Sequence, residues 1–375
     1  TALLRRGAAR PPLRFSPPLQ TQLRAPPPMP AAAPPAAWGC RHRRAGGGSA
    51  GPPPRGSKGG SPCAQRTERL NDMAQSLDDL ARLLPESVTL SGDAASGPIL
   101  EVDHNGHRAR VSLFGGHIFA WQPVGHDPVL WVSPGTKFDR QRSIRGGTPV
   151  CWPWFAVHPR HSDWPMHGFV RNTDWHLERA EQRDGAIALT LAPPVNERCA
   201  TYFPHPMRPT LDLIIGETLE IRLTQENTGN EPIEIGQALH TYFQIGDISE
   251  IEITGLEQNP FIDKLEIETD GGNRAAEEKA ITVSSEIDRI YRDLSAAISL
   301  HDRQFGRTIE ITHQGATNAV VWNPWIAKTK QLGDMGPDDA YRTMMCIETG
   351  NVPPDGLTLA PGQRHSLVTT YRLQR

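Results

Sequence analysis

Two ionisable side chains stand inside apolar strand-like runs. His240 lies in QALHTYF and Glu348 in MMCIETGNV. Period-2 alternation puts Ala238, His240 and Tyr242 on one face, with Leu239, Thr241 and Phe243 on the other. Met344, Cys346 and Glu348 likewise share one parity, and Met345, Ile347 and Thr349 share the other. Only one face of such a strand can be apolar core. A carboxylate in so apolar a run has its pKa raised by desolvation unless it is paired, which is the setting of a general base poised nearer neutrality. A histidine beside a tyrosine on the non-core face points to a polar concave surface. Each residue also has a plain structural reading. His240 would be a hydrogen-bonded core histidine, and Glu348 would cap the turn at Gly350-Asn351.

Arg145 and Arg171 bracket the densest stretch of the chain, RGGTPVCWPWFAVHPRHSDWPMHGFVR. Pro149, Pro153, Pro159 and Pro165 keep most of it out of regular structure. A long aromatic-rich loop over a β scaffold suits a binding site, or it is a rigid loop whose Trp152, Trp154 and Trp164 simply pack. Neither arginine has an obvious acidic partner in sequence. Guanidinium forks take phosphate or carboxylate bidentately, while a salt bridge to a distant acid is the commoner fate of one arginine. Gly146-Gly147 has no P-loop context, since no GKS or GKT follows. His158 and His161 are spaced H-x-x-H, a weak metal signal that only Asp163 accompanies, so no metal site is expected.

The elements that must position these groups read as strands. Leu219, Ile221 and Leu223 alternate with polar residues, as do Ile251 and Ile253, and Ile309 and Ile311. Similar runs occur at Ile99–Val102, Ala109–Gln122, Val129–Val132, Ala186–Leu191, Ile233–Phe243, Ala297–Leu300, Ala319–Trp322, Leu357–Leu359 and Ser366–Leu373. More than ten short strands without crossover helices mean an all-β, antiparallel sandwich or barrel, expected to run as one domain. One helix is expected over Asn71–Leu84, capped by Asn71 or Asp72. It would carry Leu77, Leu80, Leu83 and Leu84 on one face and end at Pro85.

Among the 375 residues, 1–66 hold ten Arg, one Lys, no Asp or Glu, and 14 of the 35 Pro. Such a segment cannot bury enough apolar area to offset its ordering entropy, so residues 1–70 read as a disordered Pro/Ala/Arg-rich segment ahead of a folded domain over 71–375. It fits an organelle transit segment, a basic tail, or residues outside the functional protein, Met73 standing just before the first helix. The remainder carries 28 basic against 42 acidic side chains, a net charge of −14, which disfavours a nucleic-acid partner. No run approaches 18 apolar residues, so no membrane-spanning helix is expected. Five cysteines without CxxC spacing fit a reducing compartment, expected to be the cytoplasm, or an organelle if the leading segment is a transit signal.

Six separated stretches together resemble the aldose 1-epimerase (mutarotase) superfamily, and its hexose-6-phosphate branch in particular. They are VSLFGGHIFAWQP (111–123), DPVLWVSPGTKFDRQRSIRGGTPVCWPWF (127–155), HGFVRNTDW (167–175), ALHTYF (238–243), EIDRIY (286–291), and VVWNPWIAK through MCIETGNV (320–352). The resemblance implies a galactose mutarotase-like β-supersandwich with a concave sugar site. It implies His240 as the acid, Glu348 as the base, His167 and Asp288 on the sugar, and Arg145 and Arg171 on a phosphate. The implied substrate is a hexose 6-phosphate, with no cofactor and no metal, handled by a monomer. The implied reaction interconverts the anomers of glucose 6-phosphate by ring opening and closure. Trp322 or Trp152 would offer a face to the sugar. Three departures stand out: Ala156 where the branch often has Gly, Val170 for Ala, and Thr349 for Pro. A free-aldose mutarotase and a non-catalytic carbohydrate-binding β-sandwich are the competing readings. The second has no need of both His240 and Glu348.

Overall fold

A computed structural model describes residues 75–374. The composition-based division at residue 70 and the Asn71/Asp72 cap lie outside them.

The described helix is shorter than the apolar spacing predicts. It runs Leu77–Leu83, and Ser76 caps it by accepting from the Asp79 N–H at 3.1 Å. Leu80 is fully buried, whereas Leu77 is 62% exposed and does not join the apolar face. Leu84 is already extended ahead of Pro85, so the helix stops where expected.

Most of the remainder is antiparallel sheet. Strands Val88–Ser91, Ile99–His104, His107–Ser112 and His117–Gln122 form a four-stranded meander. The run expected over Ala109–Gln122 is therefore two strands, parted at Gly115-Gly116. An outer sheet of eight strands follows the order Ile251–Thr254, Ile298–Asp302, Arg307–Gln314, Arg364–Gln374, Leu219–Glu226, Thr210–Ile215, Ala186–Ala192, His176–Arg183. Its strands alternate buried with partly exposed residues, as one-sided packing requires.

The inner sheet carries the chemistry. Its strands are β1 (Val150–Cys151), β2 (Gln237–Leu239), β3 (Tyr242–Gln244), β4 (Phe261–Asp263), β5 (Asn273–Arg274), β6 (Ile287–Arg292), β7 (Asn318–Asn323) and β8 (Met344–Asn351). The order is β5-β4-β6-β7-β8-β2-β1, with β3 also pairing with β8. One face presents Leu239, Phe243, Val321, Met345 and Ile347 to the main core, shared with Leu223, Ile311, Leu367 and Tyr371 of the outer sheet. The Thr241 and Tyr371 hydroxyls bond across this layer at 2.7 Å, and Thr349 bonds to Thr369. The other face is covered by segment 151–156, whose Cys151 and Phe155 pack with Ala238, Ile290 and Val320. Both faces being covered, β8 is buried along its whole length.

Two further expected runs differ from the sequence reading. Ile233–Phe243 is broken into Ile233–Ile235, β2 and β3; the first break is at Gly236, packed so close to Phe155 N that a Cβ would meet it at 3.0 Å, and the second is at His240-Thr241. Val129–Val132 forms only isolated bridges, Leu130 to Phe243 and Val132 to Gly146.

Candidate active site

Antiparallel register places the site before any side chain is considered. Asp288 on β6 faces Trp322 on β7, Trp322 faces Cys346 on β8, and Cys346 faces Tyr242 on β3. Two residues along, Ile290 faces Val320 and Val320 faces Glu348. Paired residues share a face, so Asp288, Trp322, Tyr242 and Glu348 lie together on the face away from the main core. His240 falls between β2 and β3. Its N–H donates to the Pro149 carbonyl at 3.1 Å, and that of Tyr242 to the Gly147 carbonyl at 2.8 Å. Segment 147–149 thus runs along this stretch on one side while the Ile347 N–H reaches the Thr241 carbonyl on the other.

The glycines of the Arg145 motif serve this close packing. A Cβ on Gly147, at φ +60°, would meet the Ile118 carbonyl at 2.4 Å. Gly168 sits at φ +81° against Trp152, where a Cβ would lie 1.9 Å from its carbonyl oxygen. That approach folds segment 152–168 back and brings His167 to His240, ring centroids 5.6 Å apart. His167 accepts at Nδ1 from the Ala156 N–H at 3.3 Å. Ala156 itself holds φ +61°, a conformation suited to the glycine that the resemblance leads one to expect there.

His240 Nε2 approaches Glu348 Oε1 to 3.3 Å, both residues buried. Glu348 stands mid-strand, with its Oε2 buried and unpartnered, so it does not cap the Gly350 turn. Burial holds the Glu348 carboxyl well above its ordinary value, reinforced by Asp288 and opposed by Lys264 and Arg171. Burial pushes His240 well below its ordinary value, helped by the cations Arg171, Arg145 and Lys264. Burial thus disfavours the charged form of each partner. Moving one proton across the contact gives carboxylate and imidazolium without changing the net charge.

The two arginines differ. Arg145 donates from Nη1 to the Tyr242 hydroxyl and from Nη2 to Asp334, both at 3.0 Å. It thus has the distant acidic partner that its sequence neighbourhood lacks. Arg171 donates from Nη2 to the Met166 carbonyl at 2.8 Å, and among the described residues no acid forms an ion pair with it. Ten buried side-chain nitrogen or oxygen atoms lack a partner among the described residues, and four of them are His240 Nδ1, Glu348 Oε2, Arg145 Nε and Arg171 Nε. Native interiors satisfy such atoms. Their concentration here marks a place built for something else to bind.

Asp288 is paired with Lys264 at 2.9 Å. Sequence reasoning missed Lys264 and Asp334. Lys264 is 24 positions from Asp288 and Asp334 is 189 from Arg145, and no local spacing announces either partner. The tryptophans divide. Trp152 and Trp154 are core, whereas Trp322 borders the site with its edge to His240 at 6.2 Å. His158 and His161 pack on Trp154 and Trp164. Cys151 and Cys346 also line this face, but burial pushes Cys151 up to about 12 and Cys346 above the usual thiol range, so neither supplies a thiolate near neutrality.

The chain is similar to several known proteins. A protein of Escherichia coli named "Putative glucose-6-phosphate 1-epimerase" is 36% identical over 251 residues, spanning 67% of this chain and 82% of the relative. A protein of Cenchrus ciliaris with the same name is 32% identical over 269 residues, 68% and 78% of the two chains. The crystal structure of "a putative mutarotase (YeaD)" from Salmonella typhimurium superimposes with a TM-score of 0.71 at 31% identity, over 78% of this chain and 95% of that one. A galactose mutarotase-like protein of Clostridium acetobutylicum, 13% identical over 78% and 100% of the two chains with a TM-score of 0.57, shares the fold. The family model described as aldose 1-epimerase matches residues 98–372, and the chain belongs to that family.

Proposed function

We propose that this sugar epimerase interconverts the α and β anomers of D-glucose 6-phosphate, with His240 and Glu348 as the acid–base pair. The observation that carries the reading is the set of buried, unpartnered polar atoms. Two are the Nε–H donors of Arg145 and Arg171, suited to an anion, and two belong to the acid–base pair. Ring opening needs a proton taken from the C1 hydroxyl and one given to the ring oxygen. Both oxygens are bonded to one carbon, so the groups that serve them must stand close, as His240 and Glu348 do at 3.3 Å. Glu348 as carboxylate accepts the hydroxyl proton while protonated His240 donates to the ring oxygen. Rotation about C1–C2 and the reverse transfers close the other anomer. His167, whose ring lies 5.6 Å from that of His240, and Asp288, on the same face of the sheet, would hold sugar hydroxyls, and the phosphate would orient the ring from a distance.

One observation favours a free-aldose mutarotase instead: Arg145 is already engaged by Tyr242 and Asp334. Anomerisation followed by NMR or polarimetry on glucose and glucose 6-phosphate separates the two. The expected result is a clear preference in kcat/KM for the phosphorylated sugar, reduced about 10- to 150-fold in Arg171→Ala, the loss of one charge-assisted contact of ~1.5–3 kcal/mol. Equal rates on both sugars would support the free aldose. No rate on either would leave the carbohydrate-binding reading.

A further inference from the structure

The imidazole of His240 lacks the hydrogen bond that usually fixes a catalytic histidine. Its Nε2 looks toward Glu348, and its Nδ1 is buried without a partner. What holds the ring is stacking. The Tyr242 ring lies flat against it, centroids 4.8 Å apart and planes within 6°. Trp131 stacks on Tyr242 at 5.9 Å, so Tyr242 is flanked by Trp131 as well as His240. Sliding of such a ring is limited by its hydroxyl, and that hydroxyl is held by Arg145 Nη1. Arg145 is fixed in turn by Asp334 through Nη2, and its backbone N–H donates to Thr136 Oγ1 at 2.9 Å. Asp334 is anchored by Ser133, whose hydroxyl donates to its carbonyl at 2.6 Å. Of the three guanidinium nitrogens of Arg145, Nη1 and Nη2 each have a partner and Nε, which is buried, has none among the described residues.

We propose that Arg145, Tyr242 and His240 form one chain through which an anion seated at Arg145 Nε sets the position of the general acid. Tyr242 is then a positioning residue, and the substrate's phosphate contributes to the chemical step as well as to binding. This inference rests on the phosphosugar reading. An anion drawn to Nε reorients the guanidinium, and the Tyr242 hydroxyl and ring follow because the same guanidinium holds them. The imidazole, stacked on that ring and with no partner at Nδ1, follows in turn. Binding energy from a remote group is thereby converted into orientation at the reacting atoms.

The test supplies the anion and the sugar in separate pieces. Inorganic phosphite is added to the enzyme with free glucose, and the enzyme-free rate at the same phosphite concentration is subtracted. Saturating phosphite is expected to raise kcat/KM on glucose about tenfold or more, the effect of ~1.4 kcal/mol at the transition state. In Tyr242→Phe, which keeps the stacked ring and loses the Arg145 bond, the ratio of activated to unactivated rate should fall toward one. Phosphite should still compete with glucose 6-phosphate in that variant, showing that the anion site is intact. Asp334→Asn loosens the other anchor and should lower the same ratio, giving a second route should Tyr242→Phe fold poorly. Activation that survives undiminished in these variants would show that the anion acts through its field alone and would overturn the chain. So would a wild-type enzyme that prefers glucose 6-phosphate yet shows no phosphite activation. Absence of any preference for the phosphorylated sugar would instead sink the phosphosugar reading from which the chain is drawn.

Discussion

The two faces of β8 are equally buried and chemically opposite. On the core side Met345 and Ile347 pack with Leu239, Phe243 and Val321, and the hydroxyls of Thr241 and Thr349 are bonded to Tyr371 and Thr369. On the other side Glu348 and the adjacent His240 keep one polar atom each without a partner, under a layer of cations. Burial alone therefore does not define a core. Apolar packing on the core face holds the fold together, whereas a buried ionisable pair on the other face costs stability and is what a site would need. Substitutions on the two faces should separate activity from stability.

The largest effect is expected on the site face. Glu348→Gln should lower kcat by about 10²–10⁴-fold, the usual worth of a positioned acid or base. Its melting temperature should hold or rise, because the amide removes an acid whose charged form burial penalises. Steady-state anomerisation and a thermal melt on the same sample decide it; a normal kcat with a depressed melt would make this face structural. The wild-type pH profile should be a bell. Burial lowers His240 and raises Glu348, so protonation of the pair should set the acid limb and its deprotonation the alkaline limb. His240 faces Glu348, Arg145, Arg171, Lys264, His167 and Tyr242. Lys264 disfavours protons on both members, so Lys264→Met should move both limbs to higher pH.

On the core face the signs reverse. Phe243 is fully buried and its ring meets Tyr371 at 5.4 Å. Phe243→Ala should cost ~3–5 kcal/mol of stability, read from urea unfolding, with kcat per folded molecule nearly unchanged. A large loss of kcat at full stability would show that the two faces are coupled through β3.

Much of this contrast was legible in the sequence. The outer sheet announces itself, because Leu219–Leu223 alternates in chemistry and in burial alike. β8 alternates in chemistry alone, since both of its sides are covered, yet its parity still placed Glu348 correctly. The helix began late because Ser76 and Asp79 form the cap, while apolar spacing gave Leu77 the same weight as Leu80. The pairing of Arg145 with Asp334 could not be read, since it depends on packing between segments 189 positions apart. The same holds for Lys264, which only the register of β4 with β6 brings to Asp288.

The smallest effect is expected where the described fold begins. Gln75 pins the first helix to the outer sheet, donating from Nε2 to the Leu177 carbonyl at 2.9 Å and accepting the Leu177 N–H at 2.7 Å. Ser76 caps the helix, and Leu80 buries its side chain in the main core. A chain beginning at Met73 keeps all of these contacts and discards only a segment whose composition supports no core. Its stability should match that of the full chain within ~0.5 kcal/mol, the scatter of a change that touches no buried group, and kcat should be unchanged. A chain beginning at Asp78 loses both Gln75 bonds and the cap. It should be weaker by about 2–4 kcal/mol, taking ~0.5–1.5 kcal/mol per hydrogen bond and ~1 kcal/mol for the cap. Urea unfolding of the three chains tests the boundary directly. If the Met73 chain loses as much as the Asp78 chain, residues before 73 contribute to the fold after all. In neither shortened chain should the glucose 6-phosphate to glucose ratio change, because every group of the site lies beyond residue 144 and none touches this helix.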